Sequence, residues 1–162
     1  MSISFGLYID NNHLEKILNI IEVPFEKKFE FEPFDAIGRE IPAYNLNSEL
    51  SITTFLDDPE VDCEFANEDY QCDFKIRFSI YVIWSSDEWP KYMLKLLNQV
   101  IKKTSSDFLL ECNGEAGIVL RKNQKIFVDP KSYAVDVNFE ELAMPWSLVK
   151  STNEMKNAAL DL

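Results

Sequence analysis

Phe74-Lys75-Ile76-Arg77-Phe78-Ser79-Ile80-Tyr81-Val82-Ile83-Trp84 is the stretch whose reading decides the fold. Across 73–84, Phe74, Ile76, Phe78, Ile80, Val82 and Trp84 share one side at period two, and Lys75, Arg77, Ser79 and Tyr81 share the other. Six apolar residues in succession on one side predict a central strand with one face against the core.

Downstream, Ser85 and Glu88 have capping-box spacing, and Pro90 suits a first helical turn. Trp89, Tyr92, Met93, Leu96, Leu97 and Val100 then form a helical stripe that ends at Lys102 and Lys103, where the helix dipole favours cations. Phe108–Cys112 and Gly117–Arg121 flank Asn113-Gly114, a strong hairpin signal. After a turn at Lys122-Asn123-Gln124, Lys125–Val128 makes a third strand, stopped by Asp129-Pro130. In 139–150, Phe139, Leu142, Met144, Trp146 and Leu148 are expected to dock on the core. Ser151 and Glu154 are placed to cap a short terminal helix.

Upstream, Ile3, Phe5, Leu7 and Ile9 alternate with smaller or polar residues as a strand does. Asn12 and Glu15 have capping-box spacing, Leu14, Ile17, Leu18 and Ile21 follow at helical spacing, and Pro24 ends the helix. Residues 25–47 read as irregular chain with one short strand at 28–32, and 49–56 are rich in strand formers. The order predicts a single α+β domain over 1–162. Its expected form is a largely antiparallel sheet with two main helices packed on one face and a C-terminal three-strand meander.

The next most informative stretch is Glu40–Asp73, which carries ten acidic side chains and no Lys or Arg. The formal net charge is -12, while the other 128 residues hold 18 acids and 16 bases, so the negative charge is concentrated. Such a field repels nucleic acid and anionic membrane and attracts cations or a basic protein. Within it, Glu60, Asp62 and Glu64 alternate with Val61, Cys63 and Phe65. A strand would place the carboxylates on one face as an acidic ladder, and a solvated loop is the competing reading.

Twelve Phe, six Tyr and three Trp argue against disorder. No basic leader with an apolar run follows Met1, and no apolar run is long enough to span a bilayer. Cys63, Cys72 and Cys112 are an odd set without close pairing, which predicts reduced thiols and a cytoplasmic location.

Catalytic signatures are missing. His13 is the only histidine and falls in the expected first turn of a helix, where it is exposed; no Gly-x-Ser-x-Gly elbow or phosphate-cradling glycine loop exists. The cysteines lack zinc-ligand spacing. Asp58, Glu60, Asp62, Glu64 and Asp69 fall at positions 1, 3, 5, 7 and 12 of a calcium-type loop, but Pro59, Cys63 and Asp69 are wrong for positions 2, 6 and 12. Paired carboxylates suit glycosidase chemistry, yet nothing in the sequence marks one for burial. The residues therefore predict no catalytic group, cofactor or metal.

Asp107-Phe-Leu-Leu-Glu-Cys-Asn-Gly-Glu-Ala-Gly-Ile-Val-Leu-Arg-Lys-Asn-Gln-Lys-Ile-Phe-Val-Asp129, after an amphipathic helix, resembles small bacterial immunity proteins of polymorphic, contact-dependent toxin systems. The resemblance spans Trp89–Asp129, a quarter of the chain, and rests on hairpin grammar: a strand ending in Asn-Gly-Glu and a Leu-Arg-turn-strand meander. It implies a non-enzymatic protein that binds and blocks a cognate toxin. An acidic face would suit a basic toxin domain. On that reading Asp57, Asp58, Glu60, Asp62, Glu64, Glu68, Asp69 and Asp73 meet the partner's Lys and Arg, and Phe65 and Tyr70 are the apolar anchors. Two alternatives stand beside it: an acidic adaptor or structural subunit whose charge only confers solubility, and a carboxylate-based enzyme acting on a cationic substrate.

Overall fold

A computed structural model of the chain describes residues 2–22, 30–33, 40–45, 50–54, 59–83, 87–131 and 136–162. The strands are β1 (Ser2–Ile9), β2 (Glu30–Pro33), β3 (Glu40–Asn45), β4 (Leu50–Thr54), β5 (Ile76–Ile83), β6 (Phe108–Cys112), β7 (Ala116–Lys122), β8 (Lys125–Val128) and β9 (Trp146–Leu148). The helices are α1 (Leu14–Glu22), α2 (Pro59–Tyr70), α3 (Trp89–Lys103) and α4 (Thr152–Leu160). The described strands form one sheet in the order β2-β3-β4-β5-β1-β6-β7-β8-β9. Every pairing is antiparallel except β8 with β9, so the α+β class and the three-strand meander β6-β7-β8 are as expected.

Alternation along the strands divides the core into two layers. Phe5, Leu7 and Ile9 of β1, the even residues Ile76 to Val82 of β5, and Phe108, Leu110 and Cys112 of β6 meet the buried stripes of α1 and α3. The Phe5 and Trp89 rings lie 5.5 Å apart in this layer. Each fully buried aliphatic or aromatic side chain contributes about 1.5–3 kcal/mol, so this apolar layer is the main source of stability. Tyr8, Leu109 and Leu120 point the other way, against Cys63, Ala66 and Tyr70 of α2 and Met155 and Ala159 of α4. The two main helices expected on one face are α1 and α3, and α2 and α4 add a second pair on the other. A second pair of helices is needed because the sheet buries both its faces.

β7 keeps both layers in register by a bulge. Leu110 pairs with Val119 and Glu111 with Gly117, so Ile118 is the extra residue. Ile118 and Val119 consequently both enter the apolar layer, while Gly117 and Leu120 belong to the other side. The hairpin signal is confirmed by left-handed Asn113 (φ 54°) and Gly114 (φ 75°) at the β6–β7 turn.

Arg121 on β7 is fully buried. Its Nε donates to the Ser106 carbonyl at 2.8 Å and its Nη1 to the Ile101 carbonyl at 3.3 Å, and the guanidinium stacks 5.0 Å from the Phe108 ring centroid. It thereby satisfies a carbonyl in the last turn of α3. Burial pulls its pKa down to about 10, with Asp107 opposing the shift.

Several elements depart from the sequence expectations for identifiable reasons. β3 lies in the stretch read as irregular, because Pro42, paired with Phe31, donates nothing to the ladder. The strand expected at 28–32 is β2, and that at 49–56 is β4; 28, 29, 49, 55 and 56 lie outside the described residues, as do Ser85 and Trp84. Phe74 precedes β5 and packs on Tyr8 in the second layer, at 5.8 Å between rings, rather than with Ile76. His13 rather than Asn12 stands at the N-cap position of α1, its carbonyl accepting from Ile17 N–H at 3.1 Å, and Asn11 accepts from His13 N–H at 2.8 Å just before the helix. Leu148 is exposed on the edge strand β9 and is not docked. Ser151 caps α4 as expected, accepting from Glu154 N–H at 3.1 Å.

Candidate functional site

Pro59 to Tyr70, the most acidic part of the chain, is helix rather than strand or loop. Pro59 occupies its first position, where a missing N–H costs nothing. Period two in 60–65 is a misleading pattern: the side that meets the core is Cys63, Ala66 and Tyr70, at i, i+3 and i+7. Cys63 is therefore buried while Phe65, expected beside it, is 78% exposed, the most exposed large hydrophobic side chain among the described residues. The helix also rules out the calcium-type loop, and no group of three acidic, His or Cys side chains among the described residues could hold a metal ion.

The helix is tightly held. Asn67 brackets the backbone of Phe74, accepting from its N–H at 2.6 Å and donating to its carbonyl at 3.2 Å. Gln71 takes a left-handed φ of 51° just past the helix, and Cys72 N–H returns to the Asn67 carbonyl at 3.2 Å. Lys122, buried on β7, donates to the Tyr70 carbonyl at 2.9 Å and the Ala159 carbonyl at 2.8 Å. One ammonium thus joins the C-terminal ends of α2 and α4, where helix dipoles attract a cation. Between the helices, Lys156 pairs with Asp69 at 2.7 Å and lies 5.8 Å from the Tyr70 ring centroid.

The face so presented consists of Glu64, Phe65, Glu68 and Asp69, all exposed. Phe65 stands one turn from Glu68 and Asp69, and α2 contains no Lys or Arg. Asp73 is exposed beyond the helix and pairs with Lys75. Glu60 and Asp62 fall in the first turn, and Asp57 and Asp58 lie outside the described residues. Tyr70 is corrected as an anchor: at 3% exposure it is part of the floor. Its hydroxyl lies over Gly117, where any Cβ would overlap it and would come within 2.9 Å of Met155 Sδ.

Beneath this helix is a polar cluster that sequence reasoning misses. Tyr8 O–H donates to Glu111 Oε1 at 2.7 Å, and Tyr8 accepts from Arg77 Nε at 3.1 Å. Arg77 Nη1 also donates to Ser79 Oγ at 3.0 Å. Gly6 sits opposite Glu111 in the ladder, and a Cβ there would press on Glu111 Oε1 at 3.2 Å. Burial raises the Glu111 carboxyl above the ordinary range, against the opposing pull of Tyr8 and Arg77. Tyr8 and Tyr70 are both held protonated, chiefly by burial and then by the Glu111 charge. The one legible hint is polar Glu111 within apolar Phe108–Cys112.

Other chemistry finds little support. Burial pushes the Cys72 thiol up to about 12 and Cys112 to about 11, which disfavours thiolate nucleophiles. His13 is exposed, as expected. No helix among the described residues is long and apolar enough to cross a membrane. Compared with known proteins, the chain finds no match: no family model, no curated protein and no solved structure matches it.

Proposed function

We propose that this chain is a binding protein of the immunity type, which neutralises a basic toxin domain by docking it on the acidic face of α2. One observation carries the reading: a helix without bases turns Phe65 outward among Glu64, Glu68 and Asp69 while its core side is locked to the sheet. An exposed aromatic within a charged ring supplies both an anchor and an electrostatic steering field. The rigid seating lowers the ordering cost of association.

The test uses two baits, the native chain and a variant carrying Glu64→Lys, Phe65→Ala and Glu68→Lys, for capture at low and high salt from cells that contain the partner. A basic protein held by the native chain alone, released by salt and inhibited when bound, is the expected result. Equal capture by both baits would exclude the α2 face.

A second reading, carboxylate catalysis on a cationic substrate, gains one observation: Glu111 is buried with a raised pKa, as a general acid requires. Its Oε1 is already engaged by Tyr8. A turnover whose pH profile loses a limb in Glu111→Gln would favour it over docking.

A further inference from the structure

Resting on the docking reading, and naming its partner more closely, we propose that α2 and α4 together form a two-helix cradle for an amphipathic helix with a basic flank. The Asp69–Lys156 pair bridges the two helices at 2.7 Å. Phe65 lies one turn before Asp69 on α2, and Leu160 lies one turn after Lys156 on α4. Both are exposed, at 78% and 58%. Because Lys122 gathers the C-terminal ends of both helices, Phe65 lies on the N-terminal side of the ion pair and Leu160 on its C-terminal side.

The geometry sets what fits. Two steps of about 6 Å between i and i+4 side chains, together with the roughly 9 Å between packed helix axes crossed at the ion pair, separate Phe65 from Leu160 by about 15 Å. A helix rising about 1.5 Å per residue spans that distance in about ten residues, so apolar positions ten or eleven apart, as the a and d positions of successive heptads are, would meet both. A third helix lying over two others also follows ordinary ridge-and-groove packing. Charge fixes its orientation. Glu64 and Glu68 precede and follow Phe65 on the helix flank turned away from Asp69 and α4, so the incoming helix needs its Lys or Arg on that side. The bridge neutralises the ground between the two apolar side chains, where the partner's uncharged seam would rest.

The probe is a synthetic 18-residue helix with Leu at the a and d positions of its heptads and Lys along one flank, read by fluorescence anisotropy. Controls are the same composition scrambled and the same peptide with Leu replaced by Ser. Saturable binding of the first alone is expected, with at least a tenfold loss in each of Phe65→Ser and Leu160→Ser. Both positions are exposed, and an unchanged Tm confirms that the variants fold. Equal binding of the scrambled peptide, no binding of the designed one, or indifference to Leu160→Ser would overturn the cradle. If binding survives Leu160→Ser but is lost in Glu64→Lys with Glu68→Lys, the acidic face of α2 stands and only the helical partner is lost. A natural partner that docks on α2 through a strand or loop would likewise overturn the cradle and leave the acidic face standing.

Discussion

Arg121 and Lys122 are neighbours on β7, yet they serve opposite layers of the molecule. Arg121 enters the apolar layer and satisfies the end of α3; Lys122 enters the mixed layer and satisfies the ends of α2 and α4 together. Apart from Arg121, the apolar layer is filled by side chains that need only volume. The mixed layer depends on partners: Tyr8 for Glu111, Arg77 for Tyr8, Lys122 for two helix ends. Bulk stability and the presentation of a surface are thus built separately here. Unpaired polar groups are expensive when buried, so the second layer is the more easily broken by loss of a single hydrogen bond.

Phe78, fully buried in the apolar layer, sets the upper bound. Phe78→Ala should cost about 3–5 kcal/mol in urea unfolding. A loss below about 1 kcal/mol would mean that this layer repacks and the contrast is false. Next comes Lys122→Met, at about 2–3 kcal/mol, with faster hydrogen exchange at the ends of both α2 and α4. Arg121→Met should quicken exchange at the end of α3 and in 104–107 instead. If either variant loosens both layers alike, the separation fails.

Gly117→Ala tests the close approach under α2 and should cost about 1–2 kcal/mol. Adding Tyr70→Phe, which removes the overlapping hydroxyl, should recover part of it; strictly additive losses would show that the contact is not the cause.

Glu111 gives a smaller, pH-dependent effect. Its raised folded pKa means that the folded state keeps a proton after the unfolded chain has lost it. Its burial is therefore costless below the unfolded pKa and becomes a penalty as pH rises through the folded one. Glu111→Gln keeps an acceptor for Tyr8, so Tm at neutral pH should rise, by about 2–4 °C for each kcal/mol relieved. The difference from the native chain should vanish in acid. A difference independent of pH would assign the effect to packing. Last, Phe65→Ala should change stability by less than about 0.5 kcal/mol, although it removes the proposed anchor.

Much of this plan is legible in the sequence wherever one face is dry and the other wet. β1, β5 and α3 show clean periodicity, Ser151 announces α4, and the meander, whose β6 and β7 are buried throughout, is legible from its turns at Asn113-Gly114 and Lys122-Asn123-Gln124. Legibility fails where both faces are occupied and no turn signal marks the ends. α2 has alternating acids that imitate a strand, and its buried side includes small Ala66 and polar-tipped Tyr70, so no strong helical stripe shows. Charge and aromatic content single out Glu64, Phe65, Glu68 and Asp69, all of which the structure exposes, but only the helix separates Phe65 from the buried Cys63 and Tyr70. Lys122, Tyr8 and Glu111 could not be found from spacing, since their partners lie 37 to 103 residues away.

The position of β1 has a consequence for how the chain is made. It lies at the middle of the sheet, with Ser2 opposite Ile83 on one side and Phe5 opposite Cys112 on the other. During synthesis it emerges before either neighbour and must wait about a hundred residues for the second. Until then Phe5, Leu7 and Ile9 have no sheet to enter, and their unpaired backbone is a template for another nascent chain. The residues that join the two halves of the finished molecule are thus those with the longest interval in which to find the wrong partner.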